Sequence, residues 1–515
     1  MPTLNWIGKE AVVNHDKEVP FKLLKKVKSQ SVGENSQNLI IHGDNLEALK
    51  ALMPFYVGKI KCIYIDPPYN TGNEGWIYND KVNSPKIKKW LGKVVGRESE
   101  DLCRHDKWLC MMYPRLKLLR DLLADDGAIF VSIDDNEHCN LKQALDEIFR
   151  EENFVANIIW QKKYTQSNDA KYFSTTHDFI LCYAKEKKNA KFNINLLPRT
   201  QEQDARYKNQ DNDPRGSWMT QPLHAKSGND TEYEFIFSNG VKWRPPAGTF
   251  PRYSMATLKK ADEEGKIWFG KNGTAVPRLK KYLNEMKQGV IPKTIWLYDE
   301  VGSNDEAKKD YKDLFPDNGF ATPKPVRLLK RIIQLTSDKN DIILDSFAGS
   351  GTTGHAVLDL NKENGGNRKF ILIEMENDVA KNITAERVKR AIQKYDYKSG
   401  FEYCELTKPL FDENGQIEKE CDFNQFATYI YFTETQTNID RAKINKNFIG
   451  EHSDTHLYLI YKEKDKNYLT KTFLRQLKKD GTRKIVYADR CMVDDDILEE
   501  YNIVFKQIPY EVKVY

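Results

Sequence analysis

The chain reads Ile60-Lys61-Cys62-Ile63-Tyr64-Ile65-Asp66-Pro67-Pro68-Tyr69 at the point that decides its fold, where an apolar run leads directly into a turn. The run predicts a strand. The two prolines donate no backbone hydrogen bond and hold the chain extended, so the turn is stiff. Asp66 therefore stands at the C-terminal end of a strand, where open α/β sheets bind ligands. The Asp66 carboxylate, the Pro67 carbonyl and the Tyr69 ring suit a planar group with an exocyclic amino group, such as a nucleobase. The alternative is an ordinary surface turn.

Size and composition indicate a soluble protein of several domains. The chain has 515 residues, 40% hydrophobic and 30% charged, which is enough for about two to four domains. No apolar run approaches the ~20 residues of a membrane span, and the N-terminus lacks a signal-peptide pattern. The eight cysteines contain no C-x-x-C pair, which argues against a zinc site or a disulfide framework and for the cytoplasm. The net charge of +5 is mild, so a polyanion site requires local clustering.

Alternating strand and helix patterns predict an α/β sheet with mainly parallel strands. The pattern occupies residues 37–190, resumes over residues 318–395, and is preceded by an extension, residues 1–36. The predicted strands are residues 38–41, 60–65, 128–133, 155–160, 178–183, 341–347 and 369–373. The predicted helices are residues 45–52, 113–124 and 141–150, and a further helix begins at Thr322-Pro323-Lys324-Pro325 with a proline in its first turn. The strands at 155–160 and 178–183 suit an antiparallel hairpin at a sheet edge.

Residues 396–515 predict a further small α/β module. Its expected strands are residues 428–432, 456–461 and 484–487, and its expected helix is residues 468–478. Residues 362–367 are interpreted as a loop insertion before the strand at 369–373.

Between the two halves of the sheet, residues 191–317 show weak periodicity. Residues 241–281 contain ten basic and three acidic side chains, and they are interleaved with Trp243, Phe250, Tyr253, Trp268 and Phe269. Basic and aromatic side chains together suit a surface that follows a nucleic-acid backbone, because lysine and arginine neutralise phosphates. The alternative is a solvated face over a small core.

A glycine turn follows the strand at 341–347, with the sequence Asp345-Ser346-Phe347-Ala348-Gly349-Ser350-Gly351-Thr352-Thr353-Gly354. A Walker-type phosphate loop would need Lys-Ser/Thr after the glycines. In a nicotinamide dinucleotide site, Asp345 would repel the pyrophosphate, whereas it would attract the α-amino group of an amino-acid-like cofactor. S-adenosylmethionine carries that amino group. Glu374, at the end of the next strand, would accept hydrogen bonds from its ribose hydroxyls.

In this order the motifs resemble those of β-class DNA adenine N6-methyltransferases, a circularly permuted arrangement in which D-P-P-Y precedes the cofactor turn. More narrowly, the chain is similar to the modification (Mod) subunits of type III restriction-modification systems. Besides the two turns, the resemblance rests on Gly43-Asp44-Asn45-Leu46, Asn70-Thr71-Gly72, Trp243-Arg244-Pro245-Pro246, Pro277-Arg278-Leu279-Lys280, Thr322-Pro323-Lys324-Pro325 and Val504-Phe505-Lys506-Gln507-Ile508-Pro509-Tyr510-Glu511.

The resemblance implies a Rossmann-like methyltransferase fold with a circularly permuted, mainly parallel sheet. Residues 37–190 would be its catalytic half and residues 318–395 its cofactor-binding half. Residues 191–317 would be an inserted target-recognition domain, and residues 396–515 a small C-terminal α/β domain. The implied reaction transfers a methyl group from S-adenosylmethionine to N6 of an adenine flipped out of the duplex.

The same resemblance implies roles for individual residues. Asp66 and the Pro67 carbonyl would accept the N6 hydrogens, Pro68 would stiffen the turn, and Tyr69 would stack on the base. Trp160 and Tyr164 are further candidates for stacking, and each has a core position as its alternative. The cofactor would be bound by Asp44, Asp66, Lys324, Pro325, Asp345, Phe347, Gly349, Gly351, Thr352, Thr353 and Glu374. For Asp44 the alternative is the N-cap of the following helix.

The expected partner is double-stranded DNA, and the resemblance also implies a homodimer and a possible restriction (helicase-nuclease) subunit. DNA contacts are expected from Lys242, Arg244, Arg252, Lys259, Lys260, Lys280 and Lys281. No metal and no membrane are expected. The alternatives are an orphan DNA methyltransferase acting on adenine N6 or cytosine N4, an RNA adenine methyltransferase, a DNA-binding subunit without turnover, and a nicotinamide oxidoreductase.

Overall fold

The computed structural model describes residues 3–33, 36–71, 85–95, 103–188, 191–228, 233–286, 289–317, 319–411, 416–419, 421–462 and 466–508. Gly72 and Pro509-Tyr510-Glu511, which end two of the quoted motifs, lie outside these residues. The chain divides into two compact units. The first is Met1–Asn195 with Lys293–Tyr515, and the second is Leu196–Pro292.

The first part of the first unit alternates helices and strands. Its elements are α1 Lys9–Val12, α2 His15–Glu18, β1 Lys22–Lys26, β2 Leu39–His42, α3 Asn45–Tyr56, β3 Ile60–Ile65, α4 Pro85–Val94, α5 Arg104–Leu122, β4 Leu123–Ile133, α6 His138–Phe149, β5 Phe154–Gln161 and β6 His177–Ala184.

The described residues of the second unit form short strands and two α-helices. Its elements are α7 Gln201–Asp204, β7 Trp218–Pro222, β8 His224–Ala225, β9 Phe235–Ile236, β10 Lys242–Trp243, β11 Phe250–Pro251, α8 Met255–Glu263, β12 Ile267–Trp268 and β13 Arg278–Tyr282.

The chain then returns to the first unit. The elements are β14 Ile295–Trp296, α9 Tyr298–Val301, α10 Asn304–Leu314, α11 Val326–Thr336, β15 Ile342–Asp345, α12 Thr352–Asn364, β16 Lys369–Glu374, α13 Asn377–Val379, a π-helical turn Ala380–Ala385, α14 Glu386–Tyr395 and β17 Glu402–Pro409. They are followed by α15 Phe423–Thr435, β18 Phe448–His452, β19 Thr455–Leu459, β20 Tyr468–Leu469, α16 Lys471–Leu474, β21 Arg483–Ala488, β22 Arg490–Cys491, α17 Asp495–Glu500 and β23 Ile503–Gln507.

One large sheet organises the first unit, with the strand order β1-β17-β2-β16-β15-β3-β4-β6-β5-β14. The six strands from β17 to β4 are parallel to one another. β6 pairs antiparallel with both β4 and β5, and β1 pairs antiparallel with β17. Helices connect the parallel strands, so the predicted α/β, Rossmann-like fold with a mainly parallel sheet is confirmed. The expected antiparallel pairing of β5 and β6 is also confirmed, although β14 adds a short strand beyond β5.

Apolar side chains of strands and helices form a large core that packs against this sheet. Residues of β3, α3, α5 and α6 share a buried cluster that includes Ile63, Leu49, Leu116 and Leu145. The central strands are buried almost throughout because helices flank them, as parallel sheets require. Burial on this scale orients the strand ends and thereby fixes the position of the two polar turns.

Several predicted boundaries are wrong. Residues 428–432 lie in helix α15, where consecutive apolar residues are all buried and therefore imitate a buried strand. The predicted helix at 468–478 is the two-residue strand β20 followed by the short α16. Residues 362–364 end α12 instead of forming a loop, and Pro325 is the N-cap of α11, ahead of its first turn. Residues 402–409 form β17 in the large sheet, whereas β18, β19, β21 and β23 form a separate sheet.

Across the part of the chain that the structure describes, helices that are both apolar and long enough to cross a bilayer are absent.

Candidate active site

The two polar turns meet at one edge of the large sheet. β3 and β15 are adjacent and parallel, with Ile63 opposite Leu344, so their C-terminal ends lie side by side. Asp66 follows β3 directly, and Asp345 is the last residue of β15. Both turns line one cavity of about 250 Å³. The sheet therefore brings together two motifs that are far apart in the sequence.

The Asp66 carboxylate has one oxygen paired and one oxygen unpaired. Oδ2 accepts a hydrogen bond from Lys324 Nζ, within an ion pair. Oδ1 is buried and has no hydrogen-bond partner among the described residues. Lys324 Nζ also lies 5.3 Å from the centroid of the Tyr69 ring. Because an unsatisfied buried acceptor is costly, Oδ1 is a prepared position for an N–H donor.

Hydrogen bonds from neighbouring helices hold the Asp66–Tyr69 turn in place. Trp108 Nε1, on α5, donates to the carbonyl of Pro68 at 2.6 Å. Asn70 adopts a left-handed conformation with φ of 58°, which asparagine tolerates better than most residues. Its side-chain amide donates to the carbonyl of Arg104 at 3.1 Å and to the buried Glu137. The turn is therefore fixed before any ligand binds.

Tyr69 is anchored through its hydroxyl. Tyr69 Oη donates to Asp178 Oδ2 at 3.4 Å, and Lys162 Nζ donates to Asp178 Oδ1 at 2.5 Å. Burial raises the pKa of Tyr69 well above its usual value, and the Asp178 carboxylate raises it further, so the phenol stays protonated. Burial also raises the pKa of Asp178, which Lys162 opposes. Neither Asp178 nor Lys162 was predicted as a site residue. The one indication in the sequence was an aspartate within the apolar run 177–184.

The glycine turn packs tightly against the π-helical turn. Gly351 has φ of 76°, and a Cβ atom there would lie 2.9 Å from the carbonyl oxygen of Thr384, so only glycine fits. Thr384 Oγ1 donates to the carbonyl of Gly349 at 2.6 Å. The fully buried Arg387 donates to Ser350 Oγ at 2.8 Å and to Thr352 Oγ1 at 2.7 Å. Thr384 and Arg387 therefore stabilise the glycine turn, and neither was predicted from the sequence.

Two buried carboxylates, Asp345 and Glu374, line the same cavity as the Asp66–Tyr69 turn. Asp345 accepts hydrogen bonds from the backbone N–H of Phe347 at 3.0 Å and from Thr353 Oγ1 at 2.5 Å. Glu374 Oε2 accepts from the backbone N–H of Gly349 at 3.0 Å. Burial raises the pKa of Asp345 to about 7, and the charges of Asp66 and Glu374 raise it as well.

The charges of these carboxylates indicate which kind of cofactor the cavity can bind. A buried acid whose pKa is raised by neighbouring acids favours a cationic ligand, because a cation relieves their mutual repulsion. S-adenosylmethionine is cationic at its sulfonium and its ammonium group, so Asp345, Glu374 and Asp66 fit it. A pyrophosphate would instead add negative charge to the same cavity.

The structure brings most of the predicted cofactor residues together. The cavity wall includes Lys324, Phe347, Gly349, Thr352 and Thr353. Asp44, Pro325 and Gly351 are not part of the described wall, and their contact with the cofactor stays a prediction. Asp44 is the N-cap of α3: Oδ1 accepts from the backbone N–H of Leu46 at 2.9 Å, and Oδ2 pairs with Arg115 at 3.2 Å.

The two extra stacking candidates have different environments. Trp160 is completely buried, and its Nε1 donates to the carbonyl of Gly302 at 2.9 Å, so it is a core residue. Tyr164 is 56% exposed, with its ring centroid 5.4 Å from that of Tyr298.

In the second unit, most of the basic residues predicted to contact DNA lie at the surface. Lys242, Arg244, Arg252, Lys259 and Lys260 are exposed, and Lys281 is half-buried. Lys280 is different, and its prediction as a DNA contact is wrong. It is 6% exposed and forms ion pairs with Asp211 and, at 2.9 Å, with Asp213, so its charge is neutralised inside the unit.

The interleaved aromatic residues of this segment have a structural role. Trp243 is buried in a cluster with Leu258 and Leu279, and Tyr253 and Phe269 pack against the same cluster. The alternative of a solvated face over a small core therefore accounts for these aromatics. Among the exposed basic residues, Arg244 pairs with Glu234 and Lys260 lies 3.9 Å from Glu264, and the contact of the exposed set with DNA stays a prediction.

Comparison with known proteins identifies the family of the chain. Residues 60–386 match a family model described as DNA methylase. The StyLTI Mod subunit of a type III restriction-modification enzyme from Salmonella typhimurium is 40% identical over 69% of this chain and 55% of its own length. The EcoP15I Mod subunit from Escherichia coli is 32% identical over 84% of this chain and 75% of its own length.

Among solved structures, the M1.HpyAVI–SAM complex is similar to this chain with a TM-score of 0.31 and 17% identity, covering 68% of this chain and 98% of its own. The family match extends from β3 through the D-P-P-Y turn, the second unit and the glycine turn to the start of α14. Because this match covers more than half of the sequence, the chain belongs to the DNA methylase family.

Proposed function

We propose that the chain methylates N6 of adenine in double-stranded DNA, as the modification subunit of a type III restriction-modification system. The observation that carries this proposal is the single cavity between two turns. Its lining includes the Asp66 carboxylate, which has an unpaired buried oxygen, and the carboxylates of Asp345 and Glu374. The Asp66 turn suits an amino group to be methylated, and the glycine turn with its acids suits a cationic methyl donor.

The bound S-adenosylmethionine supplies an activated methyl group. The chain's own residues orient the amino group that receives it. Asp66 Oδ1 accepts one N6 hydrogen, and the Pro67 carbonyl accepts the other, so the nitrogen lone pair faces away from the turn. Lys324 holds Asp66 Oδ2 and thereby fixes the carboxylate. Positive charge that develops on N6 is stabilised by the fixed Asp66 carboxylate, an effect worth about 3 kcal/mol for one preorganised interaction.

Tyr69 provides the stacking surface for the base. Its hydroxyl is held by Asp178, and Asp178 is held by Lys162, so the ring is oriented before the base enters. Flipping the adenine out of the duplex costs about a few kcal/mol of stacking and pairing. Contacts of the base with the preoriented Tyr69 ring and with the Asp66–Tyr69 turn offset this cost.

The similarity to two Mod subunits supports the restriction-modification role. A restriction subunit as partner is part of the same proposal, and so are a homodimer and N6 of adenine, instead of N4 of cytosine, as the acceptor. Light scattering on the purified chain measures the oligomeric state directly. A monomer at working concentration would contradict the dimer.

The central test is the base modification itself. DNA from cells expressing the chain is digested to nucleosides, analysed by mass spectrometry, and sequenced for methylated positions. We expect N6-methyladenine at one sequence motif, and its loss in Asp66→Ala. Asp125→Ala is the control, because Asp125 is exposed near the start of β4, at the other end of the parallel strands. N4-methylcytosine, or methylation that persists in Asp66→Ala, would overturn the proposal.

A further inference from the structure

The segment between β5 and β6, residues 162–176, forms a closed loop that we call the β5–β6 loop. The backbone N–H groups of Lys162 and Lys163 both donate to the carbonyl of Thr176, at 2.9 and 3.2 Å, and close its base. Further along, the backbone N–H of Ser167 donates to Ser174 Oγ at 2.7 Å. These hydrogen bonds connect the two sides of the loop. They define its stem, and the residues between Ser167 and Ser174 form its tip.

The tip carries aromatic side chains in water. Phe173 is 95% exposed, Tyr172 is 82% exposed, and Tyr164 nearer the stem is 56% exposed. Two consecutive aromatic side chains this exposed, Tyr172 and Phe173, form an apolar surface on one short loop, which indicates an interaction site. The loop also carries two exposed lysines, Lys163 and Lys171, against one aspartate, Asp169, which favours an anionic partner.

The stem of the loop is part of the wall of the cavity. Lys162 lines the cavity, and its ammonium group binds Asp178, which accepts the hydrogen bond from Tyr69. The Lys162 carbonyl accepts from the backbone N–H of Asn304 at 2.9 Å, which fixes the stem from the other side. The exposed aromatic side chains therefore belong to a loop whose stem helps to hold Tyr69 in place.

We propose that the β5–β6 loop is a wedge that opens the DNA duplex, with Phe173 and Tyr172 stacking in the gap that the flipped adenine leaves. This inference rests on the proposed function. An extruded base leaves its neighbours unstacked, and an aromatic ring restores stacking without regard to sequence. Lys163 and Lys171 are exposed and neutralise phosphates beside the gap.

The test compares two duplexes that carry the methylated motif found by sequencing. In one, the target adenine is paired; in the other, it faces an abasic position and is already unpaired. We expect Phe173→Ser combined with Tyr172→Ser to lower kcat/KM on the paired duplex by about tenfold or more, since base stacking on one ring is of that order. On the unpaired duplex the rate should stay within about twofold of the wild type. The control is Met492→Ser, at a side chain that is 58% exposed on another part of the chain.

A second readout is 2-aminopurine placed at the target position, whose fluorescence rises when the base leaves the stack. We expect the double variant to lose that rise on the paired duplex. An equal loss of rate on both duplexes, or no loss on either, would overturn the wedge. A double variant that changes oligomeric state in light scattering would also overturn it, because the loop would then bind a second copy of the chain. Absence of methylation by the wild type on both duplexes would instead overturn the proposed function.

Discussion

Asp345 is the residue at which acidity and ligand binding are coupled most directly. Burial raises its pKa to about 7, so near neutrality much of the ligand-free protein carries the neutral acid. A cationic ligand is stabilised by the ionised form and lowers this pKa. Binding at or below pH 7 therefore releases a proton, and affinity rises with pH until the free carboxyl is ionised.

We expect the affinity for S-adenosylmethionine to increase by up to about tenfold per pH unit below pH 7 and to level off above it. Calorimetry in buffers of different ionisation enthalpy measures both the affinity and the released proton. Asp345→Asn should bind more weakly and show no such dependence. A wild-type affinity that does not change between about pH 6 and pH 8 would contradict the coupling.

Some residues of the site were readable from the sequence, and others were not. Asp66, Asp345 and Glu374 each end an apolar run, and the edge of a parallel sheet gathers such residues. Asp178 and Arg387 had no comparable signal, because their roles depend on which strand or helix lies beside a turn. Lys280 was misjudged for a related reason: its charge is cancelled by Asp211 and Asp213, which lie outside the basic segment.

At the scale of the element, helix α12 offers a matched pair of glycines. Gly351 at its start and Gly365 at its end both have left-handed backbones, with φ of 76° and 64°. A Cβ atom at Gly351 would meet the carbonyl of Thr384 at 2.9 Å, whereas a Cβ atom at Gly365 would meet nothing within 4 Å. Comparing substitutions at the two positions therefore separates the cost of a left-handed backbone from the cost of the clash with Thr384 in the glycine turn.

We expect Gly365→Ala to cost about 1 kcal/mol of unfolding free energy, the cost of the left-handed backbone alone, and to leave cofactor affinity unchanged. Gly351→Ala should cost about 2–4 kcal/mol and also weaken S-adenosylmethionine binding, because the turn must move away from Thr384. Denaturant unfolding and calorimetry measure the two effects. Equal behaviour of the two variants would show that the contact with Thr384 is unimportant.

Elements were predictable where one physical signal dominated. β3 and β16 are apolar runs that end in an acid, and α11 has apolar residues at helical spacing on its buried face. α15 was mistaken for a strand because Tyr429–Phe432 are all buried, and a helix enclosed on every side loses its periodicity. The large sheet's second edge, β17 with β1, was missed because neither strand is an apolar run: charged and polar residues interrupt both Lys22–Lys26 and Glu402–Pro409.

At the scale of the whole molecule, DNA binding by the second unit is tested by its dependence on salt. Lys259 and Lys260 lie on α8 and are exposed. If both contact phosphates, their replacement by serine should reduce the slope of log K against log salt by about 2, since each contact contributes about 0.9. Fluorescence anisotropy over a salt series measures the slope. The control replaces Lys398 and Lys408, which are 84% and 79% exposed in the first unit. Equal slopes for both double variants would remove Lys259 and Lys260 from the DNA surface.

The adjacency of β3 and β15 also has a consequence during biosynthesis. Every residue of the D-P-P-Y turn is synthesised long before the neighbouring strand β15, because residues 70–341 must be translated in between. At about 5–20 residues per second this delay is on the order of tens of seconds. Until then an apolar strand edge has no partner, and the nascent polypeptide has no catalytic capacity. The cavity that both turns line can therefore form only after β15 has been synthesised.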